Sequence, residues 1–124
     1  RLVPVAAQPV HHANEIGDGV RAALTRLAAT GSTLLNQSVL LRGINDDARV
    51  LAELSETLFA AGVLPYYLHL LDPVTGAAHF EVPEHEARRL WSEISARLPG
   101  YLVPRLVREI PGAPAKTMLP PASR

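Results

Sequence analysis

The chain has 124 residues, of which 48% are hydrophobic, a size and composition that fit one domain with a modest core. Its 12 basic and 12 acidic residues cancel, so no basic excess points to nucleic acid or to an anionic membrane surface. No apolar run reaches the ~20 residues of a membrane-spanning helix. Cysteine is absent, which excludes disulfides, thiolate zinc sites and a cysteine-held iron–sulfur cluster within this sequence. These features predict a cytoplasmic protein with no nucleic-acid or membrane partner.

Short apolar runs alternate with amphipathic stretches along the sequence. The predicted strands cover residues 2–7, 33–41, 63–71 and 102–110, and the predicted helices cover 20–29, 48–61 and 83–98. Asp46 or Asp47 is placed to cap the second helix, and Gly62 is placed to end it. This alternation predicts an α/β fold of parallel βα units, too few to close a barrel. The tail from residue 111 is predicted to be irregular, and the start at Arg1, directly before an apolar stretch, fits either a piece cut from a longer sequence or a processed terminus.

Three charged residues fall where parallel α/β folds place their working groups, at or beyond the carboxyl ends of strands. Asp72 and Glu109 follow the third and fourth predicted strands, and Lys116 lies on a Gly/Pro-rich loop. Such a lysine is well placed to form a Schiff base with pyridoxal phosphate, and two carboxylates can hold an ammonium group. Ordinary alternatives stay open: a surface lysine, an aspartate that opens a turn, and a glutamate paired with Arg105 or Arg108.

The histidines are weaker candidates for chemistry. His11 and His12 are adjacent on one loop, and two such residues do not supply the three or four converging ligands of a metal site, so no metal ligands are predicted. His69 alternates with Tyr67 and Leu71 along its strand, so these side chains share one face. The pattern leaves His69 either packed or facing a ligand.

Several longer blocks follow one another in a fixed order, namely His12-Ala13-Asn14-Glu15, residues 36–47, Pro65-Tyr66-Tyr67-Leu68, Gly76-Ala77-Ala78-His79-Phe80, Gly100-Tyr101-Leu102-Val103-Pro104 and the loop around Lys116. Together they resemble the lysine 2,3-aminomutase family of radical S-adenosylmethionine enzymes, over residues 5–120. The sequence of residues 35–41 and 69–72 most resembles the sequences of the bacterial branch that makes (R)-β-lysine for elongation factor P. The resemblance implies the C-terminal half of a partial β/α barrel at residues 1–110, followed by a lysine loop and irregular tail at 111–124.

The resemblance also implies a role for each matching residue. Lys116 matches the lysine that holds pyridoxal phosphate as a Schiff base. Asp72 matches an acid that binds the side-chain ammonium of the substrate lysine, and Glu109 occupies the position of a second such acid. Gln37 matches a glutamine near S-adenosylmethionine, and His69 lies in the vicinity of pyridoxal phosphate, at a position that is tyrosine in free-lysine relatives.

Two departures from the family pattern bear on activity. Pro9 replaces a histidine that the family carries near S-adenosylmethionine. The Cys-x-x-x-Cys-x-x-Cys loop that holds the [4Fe-4S] cluster of the full-length enzymes is absent, as are the upstream arginines for the substrate carboxylate and the cofactor phosphate. The resemblance therefore implies an isomerase that shifts the amino group of L-lysine, in which this chain needs the missing N-terminal half and is inactive alone.

Other assignments stay open at this stage. A free-lysine or glutamate aminomutase of the same family is one, although Asp72 would repel the side-chain carboxylate of glutamate. A non-catalytic α/β remnant, which has lost the cluster half, is another. Assembly into a homo-oligomer is also left open by the sequence.

Overall fold

The computed structural model describes residues 5–8, 10–71, 78–108 and 117–118. Its strands are β1 (Val5–Gln8), β2 (Thr33–Leu40), β3 (Val63–Leu70), β4 (Arg105–Arg108) and β5 (Thr117–Met118), and its α-helices are α1 (Asp18–Ala29), α2 (Ala48–Ala60) and α3 (Glu84–Arg97). Short 3-10 turns cover Ala13–Glu15, Ala78–Phe80 and Gly100–Leu102. No helix among these residues is long and apolar enough to cross a bilayer.

The strands form one sheet in the order β1-β2-β3-β4-β5. The first four strands are parallel, which confirms the predicted βα repeats, and a helix connects each successive parallel pair. Right-handed crossovers between strands in sequential order place all the connecting helices on one face of the sheet. β5 pairs antiparallel with β4 through Thr117 and Met118. The prediction of an irregular tail is therefore wrong for these two residues.

The core lies between the helices and one face of the sheet. Every second side chain of β2, from Leu34 to Leu40, is buried, while the intervening side chains are half-buried. Leu34 packs with Leu24 of α1 and Leu58 of α2, and Leu40 packs in a second cluster with α2, α3, β3 and β4. The period of two distinguishes a helix-covered face from an opposite face, on which the half-buried residues lie.

The observed helix termini follow the local capping chemistry. The side chain of Asp47 accepts hydrogen bonds from the backbone N–H groups of Arg49 and Val50 at 2.8 and 3.3 Å, so it is the N-cap of α2, as predicted. Gly62 follows the C-terminus of α2 with φ +85°, a left-handed conformation that favours glycine. A Cβ atom at Gly62 would also lie 3.1 Å from the Cβ of Ala28, so glycine lets α1 and α2 approach closely.

The start of β4 differs from the prediction. β4 begins at Arg105 rather than Leu102, because Leu102 belongs to a 3-10 turn and Pro104 accepts a 2.7 Å hydrogen bond from the indole of Trp91. β1 begins at Val5. In β3 the register shifts by one residue, from Asn36 opposite Pro65 to Gln37 opposite Tyr67, which leaves Tyr66 as an inserted residue.

Candidate functional site

A pair of polar side chains joins β2 to β3 on the face opposite the core. Nε2 of His69 lies 3.1 Å from Oε1 of Gln37. An amide oxygen can only accept, so His69 donates through Nε2, and the two amide N–H donors of Gln37 are left for another acceptor. Both side chains are half-buried, and His69 is the penultimate residue of its strand. The pair therefore lies toward the carboxyl ends of the parallel strands, where α/β folds bind their ligands.

Aromatic rings extend from this pair along β3. The rings of Tyr67 and His69 meet edge to face with centroids 5.6 Å apart, and the rings of Tyr66 and Tyr67 are 4.4 Å apart. The guanidinium of Arg105, on β4, lies 5.5 Å from the centroid of Tyr66, within the range of a cation–π contact. Neighbouring rings thus fix the orientation of His69 in addition to its hydrogen bond to Gln37.

A buried polar cluster holds the loop that follows β1. Asn36 and Ser38 occupy core-facing positions of β2 with only 1% and 4% of their surface exposed. The amide of Asn36 accepts from the N–H of Val10 at 2.8 Å and donates to the Val10 carbonyl at 2.9 Å. The Ser38 hydroxyl donates to the same carbonyl at 2.7 Å. Val10 is therefore bound to β2 through side chains, just beyond the last backbone pairing of β1 at Gln8.

Asn45 holds the next residue of the same loop, His11. Its fully buried amide donates to the carbonyls of His11 and Val39, each at 2.9 Å, and accepts from the N–H of Leu41 at 2.7 Å. Nδ1 of His11 accepts the N–H of Val39 at 3.0 Å. His11 and Asn45 thereby satisfy both backbone groups of Val39, as a neighbouring strand would otherwise do.

The side chain of Glu15 also holds the backbone of the two adjacent histidines, His11 and His12. One carboxylate oxygen of Glu15 accepts the backbone N–H groups of His11 and His12, both at 2.8 Å. Nδ1 of His12 accepts the N–H of Asn14 at 3.0 Å and so caps the 3-10 turn. We name residues 10–12 the histidine loop. Its backbone is fixed by direct hydrogen bonds with the side chains of Asn36, Ser38, Asn45 and Glu15.

An ion cluster ties the carboxyl end of β4 to the start of α3. The carboxylate of Glu84 pairs with Arg108 at 2.6 Å and also with Arg88, one turn along its own helix. Glu84 also lies at the positive end of the α3 dipole, which favours a carboxylate there. Arg108 and Arg105, the two partners considered for Glu109, thus contact Glu84 and Tyr66 respectively.

The structure describes two of the five predicted site residues. Gln37 and His69, which the family resemblance named as separate site residues, are in direct contact. Asp72, Glu109 and Lys116 lie outside the described residues, and their predicted roles stay predictions. Within the described ranges, no three His, Cys, Asp or Glu side chains converge as metal ligands.

Sequence reasoning missed the residues that hold the histidine loop. The available signal was the alternation of Leu34, Asn36, Ser38 and Leu40, which puts two polar residues on an otherwise apolar, core-facing side of β2. Buried polar groups need partners, so this pattern predicts that another segment bonds to them. The sequence does not identify that segment, because Val10 is 26 residues away from Asn36.

Comparison with known proteins identifies close relatives. The chain is 56% identical over 110 residues to the L-lysine 2,3-aminomutase of Escherichia coli strain K12, an alignment that covers 89% of this chain and 32% of that protein. It is 50% identical to the protein of the same name from Haemophilus influenzae, covering 95% and 35%. The corresponding protein of Buchnera aphidicola is 46% identical, covering 94% and 34%. The chain thus spans about a third of the length of these relatives.

A solved structure shares the fold. The crystal structure of a radical SAM methyltransferase from Sphaerobacter thermophilus superposes with a TM-score of 0.61 at 21% identity, over 82% of this chain and 33% of that one. The parallel βα units described above therefore share their fold with part of that structure. No protein-family model matches the sequence.

Proposed function

We propose that this chain, which belongs to the lysine 2,3-aminomutase family, forms part of the active site of an enzyme that converts L-lysine to (R)-β-lysine. The observation that carries the proposal is the contact between Gln37 and His69. It places two polar side chains toward the carboxyl ends of adjacent parallel strands, in a chain 56% identical to a protein named for this reaction. Surface polar pairs occur widely, but this one is half-buried and oriented by neighbouring rings.

The cofactors of the proposed reaction fit the donors of this site. The unused amide N–H groups of Gln37 suit the hydroxyl and carboxylate oxygens of S-adenosylmethionine. Lys116 would hold pyridoxal phosphate, with His69 near that cofactor. When bound, S-adenosylmethionine reduced by an iron–sulfur cluster supplies a hydrogen-abstracting radical, and pyridoxal phosphate supplies the π-system across which nitrogen moves. This chain has no cysteine, so the cluster ligands would come from another segment, and we expect no turnover by the chain alone.

The remaining residues of the proposed site would select and hold the substrate. Asp72 and Glu109 would bind the distal ammonium of lysine, which excludes a substrate with a carboxylate at that end. Gln37 and His69 would orient the bound molecules, since holding reacting atoms in line accounts for a large share of such rate enhancements. We further propose, from the resemblance of residues 35–41 and 69–72, that the product is used in the cytoplasm to modify elongation factor P.

A hybrid enzyme tests the proposal. In it, the homologous segment of the Escherichia coli relative is replaced by this chain, so that the remaining two thirds of the enzyme come from a matched partner. With S-adenosylmethionine, pyridoxal phosphate and a reductant, the hybrid is expected to form β-lysine from L-lysine and nothing from L-glutamate. The Lys116→Arg variant keeps the positive charge and is expected to lose turnover, together with the borohydride-reduced pyridoxal adduct on that residue.

Two outcomes would overturn the proposal. A folded hybrid that forms no β-lysine would show that this chain does not complete the active site. A hybrid that retains full turnover as Lys116→Arg would show that the pyridoxal lysine lies elsewhere. The parent enzyme, assayed in parallel, fixes the reference rate.

A further inference from the structure

The histidine loop contains two ring nitrogens without a hydrogen-bond partner among the described residues, Nε2 of His11 and Nε2 of His12, and of the two rings that of His11 is the one bonded to β2, through Val39. The backbone N–H of His11 donates to Glu15, its carbonyl accepts from Asn45, and its Nδ1 accepts from Val39. Among the described residues, Nε2 of His11 has no hydrogen-bond partner. Because a ring nitrogen that accepts an N–H carries no proton, the neutral ring of His11 bears its proton on Nε2. The surroundings thus fix both the place and the tautomer of a hydrogen-bond donor.

The position of this donor is close to the proposed site. His11 bonds to the backbone of Val39, which follows Gln37 by two residues on the same face of β2 and lies opposite His69 in the register of β3. The side chains of His11, Gln37 and His69 therefore lie around Val39, a half-buried residue toward the carboxyl end of β2. Three further polar side chains, those of Asn36, Ser38 and Asn45, are at most 4% exposed. They donate hydrogen bonds to backbone carbonyls of the histidine loop.

Burying these polar groups carries a free-energy cost that a purely apolar continuation of the strand would avoid. A short apolar strand continuation would leave fewer polar atoms to satisfy, whereas here each amide must find its partners or cost ~1–3 kcal/mol. The arrangement is that of a functional group held by a supporting shell of hydrogen bonds, which keeps such groups within a fraction of an ångström of their working position.

We infer that His11 is a ligand-binding residue that donates from Nε2 to an oxygen of S-adenosylmethionine, and that Asn36, Ser38 and Asn45 are its positioning residues. The inference rests on the proposed function, which it deepens by assigning a donor on the β1 side of Gln37. The acceptor is an oxygen in either the ribose or the carboxylate of that molecule, since both present the same chemistry to an imidazole N–H.

Two variants of His11 separate its two ring nitrogens. In His11→Asn, the side-chain oxygen replaces Nδ1 as acceptor for Val39, while no group reaches the position of Nε2. In His11→Gln, the longer amide places its N–H near Nε2 and gives up the bond to Val39. His85 is exposed on α3, so His85→Asn is a matched control that removes a histidine without touching this loop.

The test measures steady-state kinetics of the hybrid enzyme. We expect His11→Asn to raise the KM for S-adenosylmethionine about tenfold, the loss of one hydrogen bond, with less than about a twofold change in the KM for L-lysine. His11→Gln should recover part of the affinity, and His85→Asn should match the parent hybrid. Inhibition by 5′-deoxyadenosine and by methionine identifies the source of the oxygen, because His11→Asn should weaken only the inhibitor that carries it.

The possible failures are distinct. If the parent hybrid forms no β-lysine, the proposed function fails and takes this inference with it. If the hybrid is active and His11→Asn leaves the KM for S-adenosylmethionine and both inhibition constants unchanged, the inference alone is wrong. A long-range ¹H–¹⁵N spectrum of the full chain adds an independent check, since a predominant Nδ1–H tautomer of His11 would also overturn it.

Discussion

Replacing Asn45 with alanine tests the claim that buried side chains hold the histidine loop. The amide of Asn45 is fully buried and makes three hydrogen bonds to backbone groups of His11, Val39 and Leu41. A typical intramolecular hydrogen bond contributes about 1 kcal/mol net, so losing three should lower the free energy of unfolding by about 3 kcal/mol. That loss is a large part of the ~5–15 kcal/mol by which domains are stable.

Urea denaturation of the full chain measures this loss. With a slope of about 1.5 kcal/mol per molar urea, the midpoint should fall by about 2 M. Asn45→Asp provides a sharper comparison, because it keeps the acceptor for Leu41 but turns a carboxylate toward the carbonyls of His11 and Val39. It should destabilise at least as much as alanine. Asn14→Ala, at an exposed position, should change the free energy by less than about 0.5 kcal/mol.

The reasoning would be refuted by a loss below about 1 kcal/mol for Asn45→Ala. A stable Asn45→Asp variant would refute it as well, since the donors of the amide would then be dispensable. In either case the loop would be held by something other than the bonds described here.

Three further predictions concern stability and are measured by the same denaturation assay. Leu58 is fully buried between α1, α2 and the sheet, so Leu58→Ala should cost about 2–5 kcal/mol, whereas Val20→Ala, 44% exposed, should cost about 0.5 kcal/mol or less; equal losses would contradict the described core. Asp47→Ala should cost about 1 kcal/mol because the N-cap of α2 is lost, and Asp47→Asn should recover most of it; no difference between the two would contradict the cap. Arg108→Leu should cost less than about 1 kcal/mol because its pair with Glu84 is partly exposed, and that loss should shrink further at high salt; a large, salt-independent loss would contradict this assignment.

Most of the fold follows from local patterns in the sequence. The apolar periodicity around Leu24 and Leu58 predicts α1 and α2, and Asp47 and Gly62 mark the ends of α2 because their side-chain chemistry acts locally. The parts that escaped prediction depend on distant partners. β5 is formed by the pairing of Thr117 and Met118 with Arg108 and Val107. The residue types of Thr117 and Met118 alone do not predict that pairing.

The same distinction applies to the candidate site. The face that His69 shares with Tyr67 could be predicted, because alternation along a strand is a local rule, whereas the contact of His69 with Gln37 on the neighbouring strand was not predicted. The hydrogen bonds that Asn36 and Asn45 make to the histidine loop could not be predicted, because their partners are backbone groups of Val10 and His11, which lie on a different connection. The roles of Asp72, Glu109 and Lys116 rest on the family resemblance, since these residues lie outside the described part of the chain.

The most direct measurement follows the migrating nitrogen itself. The hybrid enzyme is supplied with L-lysine labelled with ¹⁵N at the α-amino group, and the product is analysed by NMR. If this chain completes a lysine 2,3-aminomutase, the label appears on the β-carbon of β-lysine, and it disappears from that position in the Lys116→Arg variant. A folded hybrid that leaves all of the label on the α-carbon, while the parent enzyme moves it, would contradict the account.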